Sequence, residues 1–129
     1  MTPNANPDSM KAAIDVLAEL PGPRLLVMGD MGEVGDQGPR FHAEAGALAR
    51  AGGIDMLFMI GEQSENAGAA FGAGRHFRTM ETLIAAVLVE LPRLASVLVK
   101  GSRFMKMERV IQAIAEHTQT DYKGAHHAA

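Results

Sequence analysis

Two short stretches carry the residues whose types and spacing could do chemistry. The first is Lys100-Gly101-Ser102-Arg103. Val97, Leu98 and Val99 before it form an apolar run with two β-branched residues, the pattern of a strand buried on both faces. After it, Met107, Val110, Ile111 and Ile114 fall at helical spacing, so a helix is expected from Met105. A strand would then enter a helix through a turn in which Gly101 permits a sharp reversal and Ser102 caps the helix. Unpaired N–H groups, the positive end of a helix dipole and two cations together suit an anion. The plainer reading is a pair of solvated cations beside an ordinary cap.

The second stretch is Gly29-Asp30-Met31-Gly32-Glu33-Val34-Gly35-Asp36, a loop with three glycines and three acids. Asp30 lies just past the apolar run from Arg24 to Met28, where a carboxylate can accept hydrogen bonds from two sugar hydroxyls. Glu33 could do the same or face a metal. Asp30 also fits an Asx-turn beside Gly32. His42, near the start of the following helix, reads as a surface or packing group more readily than as a base. The five histidines are scattered, with only His126 and His127 adjacent, and assign no metal site.

These stretches must be held by a regular scaffold. Asn6 can cap a helix beginning at Pro7, with Met10, Ala13, Ile14, Leu17 and Leu20 on one face and Pro21-Gly22-Pro23 as its stop. A strand over 24–28 and a helix from about Pro39 to Ala51 follow. Next come a strand from Met56 to Ile60, a short helix from Ser64 to Phe71 and a minimal strand over Arg75-His76-Phe77. Thr79 caps a further helix, stopped near Pro92, and the strand before Lys100 leads into the last helix, which fades near His117. Residues 1–6 are expected to be a linker remnant, 7–117 the folded domain and 118–129 a flexible tail.

Alternating strands and helices imply an α/β, Rossmann-like domain of three layers, with a mostly parallel sheet between helices. Right-handed crossovers give the strand order 3-2-1-4. Ligands of such sheets bind at the carboxyl ends of the strands, where the order reverses. Here the reversal brings Asp30 and Ser102 over one crevice.

The 129 residues suffice for one domain, and 12 basic against 15 acidic residues give a net charge of -3. That charge, with five Phe, one Tyr and no Trp, offers neither a basic footprint nor stacking platforms for nucleic acid. There is no cysteine, hence no disulfide framework or thiol chemistry. No apolar run is long enough to cross a membrane and no signal pattern opens the chain, so a cytoplasmic protein without a membrane partner is expected. The nine methionines mostly read as packing. No G-x-x-x-x-G-K-[ST], no G-x-G-x-x-G after a strand and no nucleophile elbow occurs.

Asn4-Ala5-Asn6-Pro7-Asp8-Ser9-Met10, Val27-Met28-Gly29-Asp30-Met31-Gly32-Glu33 and Val97-Leu98-Val99-Lys100-Gly101-Ser102-Arg103 closely resemble the C-terminal domain of the Mur ligase family of bacterial peptidoglycan synthesis. The match runs over about residues 4 to 117, and is nearest the branch that joins D-alanyl-D-alanine to UDP-N-acetylmuramoyl-tripeptide. The resemblance implies three domains: one for the UDP substrate, a central ATPase with Mg2+, and a C-terminal Rossmann-like domain. It implies that ATP phosphorylates a carboxylate and that the dipeptide amine attacks the acyl phosphate. By the same resemblance Asn4 approaches adenine and Asp30 holds the ATP ribose. Lys100, Gly101, Ser102 and Arg103, with Gly61 and Ser64, would bind the incoming dipeptide. Glu33 and His42 stand as auxiliaries, and no catalytic or metal-binding residue is implied within this chain.

Only Met1-Thr2-Pro3 precedes Asn4, where the family usually carries Asp-Asp-[Ser/Thr]-Tyr, and Phe104 stands where a small polar residue is common. The chain is therefore expected to be a domain lacking its N-terminal and central partners, binding no cofactor and turning over no ATP alone. Two other classes stay open on the residues themselves. One is a phospho-acceptor module using Asp30 and Lys100; the other is a structural α/β domain with a vestigial crevice.

Overall fold

The computed structural model describes residues 6–32 and 34–128, with side chains as far as Thr118. Asn4 and Glu33 lie outside the described residues. Helix α1 (Pro7–Ala18) opens with a reciprocal cap: the Asn6 side chain accepts from the Ser9 N–H at 2.9 Å, and Ser9 Oγ accepts from the Asn6 N–H at 3.0 Å. Strand β1 (Arg24–Gly29), helix α2 (Gly38–Ala51), strand β2 (Met56–Ile60), helix α3 (Glu65–Phe71) and strand β3 (Arg75–Phe77) follow. Helix α4 (Met80–Glu90), capped by the Thr79 side chain, strand β4 (Ser96–Lys100) and helix α5 (Glu108–Ala128) complete the order.

The four strands are all parallel in the order β3-β2-β1-β4, the expected 3-2-1-4. β1 is central and, past Arg24, buried throughout. Leu26 and Met28 face α1, α2 and α3 with Met10, Ile14, Leu17 and Ala49. Leu25 and Val27 face α4 and α5 with Leu83, Val87, Met107 and Val110. This is the period-two division that a strand covered on both faces requires.

Three expectations are corrected. β4 is not fully buried: every residue from Ser96 to Lys100 is half-buried, because the strand lies at the sheet edge and packs laterally against β1 alone. The last helix does not start at Met105. Arg103–Met105 is a 3-10 turn, Lys106 is left-handed with φ 55°, and α5 begins only at Glu108. That kink brings Met107 down over Gly29 and Gly101, where any Cβ would collide with its side chain. Ile111, one step around from buried Val110, consequently faces outward and is 52% exposed. The helix also continues past His117 to Ala128. No proline follows His117, and extending a formed helix costs far less than starting one.

Candidate functional site

At the carboxyl ends of β1, β2 and β4 three loops meet on Asp30. Its carboxylate reaches across to the loop after β2: Oδ1 accepts from the Ser64 N–H and the Ser64 hydroxyl, both at 2.8 Å, and Oδ2 accepts from the Gln63 N–H at 3.2 Å. Its main-chain oxygen accepts from the Ser102 N–H at 3.0 Å. The sequence therefore placed Asp30 and Ser102 side by side correctly, but not the bonding. Asp30 closes no Asx-turn with Gly32; it ties β1 to its neighbours on both sides.

Gly61 makes this geometry possible. It sits at φ 106°, and a Cβ there would overlap the Asp30 carboxylate. Gly61→Ala is expected to cost about 2 kcal/mol, combining left-handed strain with displacement of Asp30; chemical denaturation of the variant measures it. On the far side His76 Nε2 contacts the Gly61 carbonyl at 2.8 Å, and its Nδ1 lies 3.6 Å from Glu65. Ser64 is buried and its hydroxyl is committed to Asp30.

The turn after β4 is built differently from the expectation. Ser102 is 1% exposed, yet its hydroxyl caps no helix and has no hydrogen-bond partner among the described residues. A buried hydroxyl in that state forgoes stabilisation that a ligand could restore. It lies in a small cavity of about 50 Å3 lined by Lys100, Gly101, Arg103, Met107, Glu108 and Ile111. Because α5 starts at Glu108, Ser102 is not its N-cap. Lys100, Ser102 and Arg103 thus line one cavity together with the carboxylate-bearing Glu108, and Phe104, next along the chain, is exposed.

His42, read from the sequence as a surface or packing group, is fully buried, and both ring nitrogens are engaged. Gln63 was not singled out within the Gly61 to Ser64 loop, since an uncharged residue in a loop carries no pattern of its own. Among the described residues no three His, Asp or Glu side chains stand close enough together to hold a metal ion. Asp30 fits a ribose hydroxyl only through the acceptor capacity left on Oδ2, which takes one long bond.

The family model "Mur ligase, glutamate ligase domain" matches residues 1–103. The chain belongs to this Mur ligase family. It is 43% identical over 116 residues to the UDP-N-acetylmuramoyl-tripeptide–D-alanyl-D-alanine ligase of Escherichia coli, covering 88% of this chain and 26% of that protein. The Bacillus subtilis ligase of the same name is 36% identical over 121 residues, covering 88% and 26%. The chain thus spans about a quarter of the length of the curated relatives it matches. A crystal structure of MurF from Acinetobacter baumannii superposes with TM-score 0.75 at 34% identity, covering 89% of this chain and 26% of that one. MurF from Thermotoga maritima, solved with ADP, shares the fold with TM-score 0.76 at 22% identity, covering 93% and 28%.

Proposed function

We propose that this Mur ligase domain is the C-terminal part of the ATP-dependent ligase that adds D-alanyl-D-alanine to UDP-N-acetylmuramoyl-tripeptide in the bacterial cytoplasm. Residues 7–117 are the domain itself, and 1–6 belong to a linker to the central domain. The observation that carries the reading is the buried, unpartnered Ser102 hydroxyl beside Lys100 and Arg103. A carboxylate is the ligand such a group suits: the two cations set the charge and the hydroxyl donates a short, directional bond. Lys100, Gly101, Ser102 and Arg103 would hold the dipeptide carboxylate, with the Gly61–Ser64 loop beside them. Asn4 would approach adenine, and Asp30 would take a ribose hydroxyl on Oδ2 while keeping both loops in register. ATP supplies the activation of the carboxylate. Mg2+ and the UDP substrate would be held by the N-terminal and central domains, and this chain alone would neither bind cofactor tightly nor hydrolyse ATP. A phospho-acceptor role gains no support, since the Asp30 carboxylate already accepts from Gln63 and Ser64.

Ser102→Ala is the test. It removes a hydroxyl that bonds nothing among the described residues, so stability should change by less than about 1 kcal/mol. The response of the Gly101 and residue-102 amides to D-alanyl-D-alanine in NMR titration should weaken about tenfold. An unchanged affinity, or ATP hydrolysis by the isolated chain at a steady catalytic rate, would overturn the reading.

A further inference from the structure

We propose that His42 is a positioning residue, which sets where the acidic loop stands and, through Asp30, where the Gly61–Ser64 loop stands. What those loops bind rests on the function proposed above; the positioning itself does not.

The imidazole is 0% exposed on the inner face of α2, among Ala45, Gly46 and Ala49. An apolar side chain would fill that place without the cost of burying polar nitrogens. Both nitrogens instead serve the main chain. Nε2 accepts from the Met31 N–H at 2.9 Å and so carries no proton; the ring proton sits on Nδ1 and is donated to the Gly38 carbonyl at 2.6 Å. Met31 follows Asp30, past the end of β1, where no ladder bond takes its N–H.

From Gly38 the path continues to the other loop. The Gln63 side chain packs so closely on Gly38 that a Cβ there would overlap its amide oxygen. The Gln63 N–H then returns to Asp30 Oδ2 at 3.2 Å. Met31, His42, Gly38, Gln63 and Asp30 thus form a closed circuit, and the imidazole is its only side chain that bonds the main chain at two points on different elements. Loosening it frees the Asp30 end of the acidic loop.

His42→Gln and His42→Asn separate positioning from packing. The longer amide reaches the Nε2 position and keeps the Met31 bond; the shorter one reaches only Gly38. Amide hydrogen exchange is read at Met31, Gln63 and Ser64 in the intact chain, with β2 and α4 amides as the global reference. In His42→Asn the three loop amides should exchange about tenfold faster, the loss of about one hydrogen bond, while the reference amides hold. In His42→Gln they should stay near wild type. Gly38→Ala, which breaks the circuit on its other side, should speed Gln63 and Ser64 and spare Met31; it decides the matter if His42→Asn fails to fold. Equal loss in both His42 variants, or unchanged Gln63 and Ser64 exchange in His42→Asn or Gly38→Ala, overturns the proposal. Faster loop exchange in His42→Asn, with no response of the wild-type chain to D-alanyl-D-alanine, supports the positioning and counts against the proposed function alone.

Discussion

Asp30→Ala is expected to destabilise the domain by about 3 kcal/mol, because three donors lose their acceptor at once. The Gln63 N–H, the Ser64 N–H and the Ser64 hydroxyl all converge on this carboxylate, and Ser64 is buried, so water replaces the lost partner poorly. Thermal melting should show a midpoint about 10 °C lower. Asp30→Asn should lose less, since its amide oxygen can still take both Ser64 donors while its NH2 faces the Gln63 N–H. The bond from the Ser102 N–H to the Asp30 carbonyl survives either change. Amide shifts at Gln63 and Ser64 should therefore move far more than those at Ser102. If Asp30 served only an absent ribose, alanine in its place would leave stability untouched, and that result would sink the junction described here.

The scaffold was legible because each element signals itself locally. Asn6-Pro7 and Thr79 announce helix starts by cap chemistry, and both caps form as expected. The parallel order 3-2-1-4 follows from alternation and crossover handedness, so the adjacency of the β1 and β4 carboxyl ends was open to inference. What stayed hidden depends on contacts between residues far apart in the chain. Asp30 bonds residues 33 and 34 positions away, and no spacing rule links a carboxylate to a particular later serine. His42 looked like an ordinary helical histidine because its partner, the Met31 N–H, is a main-chain group without a sequence signature. At the other turn a helix was read correctly, but its start and the inward place given to Ile111 were not. A 3-10 turn and left-handed Lys106 intervene, and the reason, the room Met107 needs over two glycines, is tertiary.

Gly46→Ala is expected to be nearly as damaging although it touches no loop. Helices α2 and α3 cross here with their backbones in direct contact, and a Cβ on Gly46 would overlap the Ala67 carbonyl oxygen. Ala67 is fully buried, and the clash is with main chain, so no rotamer change relieves it. Alanine favours the helix by up to about 1 kcal/mol over glycine, but prying two packed helices apart costs about 3 kcal/mol or more. The clash wins, and net loss by urea denaturation should be about 2 kcal/mol. The functional consequence follows from geometry. His42 lies one turn before Gly46 on the same inner face, so a shift of α2 carries the imidazole away from the Met31 N–H. Met31 exchange should therefore rise with the loss of stability, whereas Ala47→Gly, one residue along, should weaken the helix by its propensity alone and leave Met31 protected relative to the global reference.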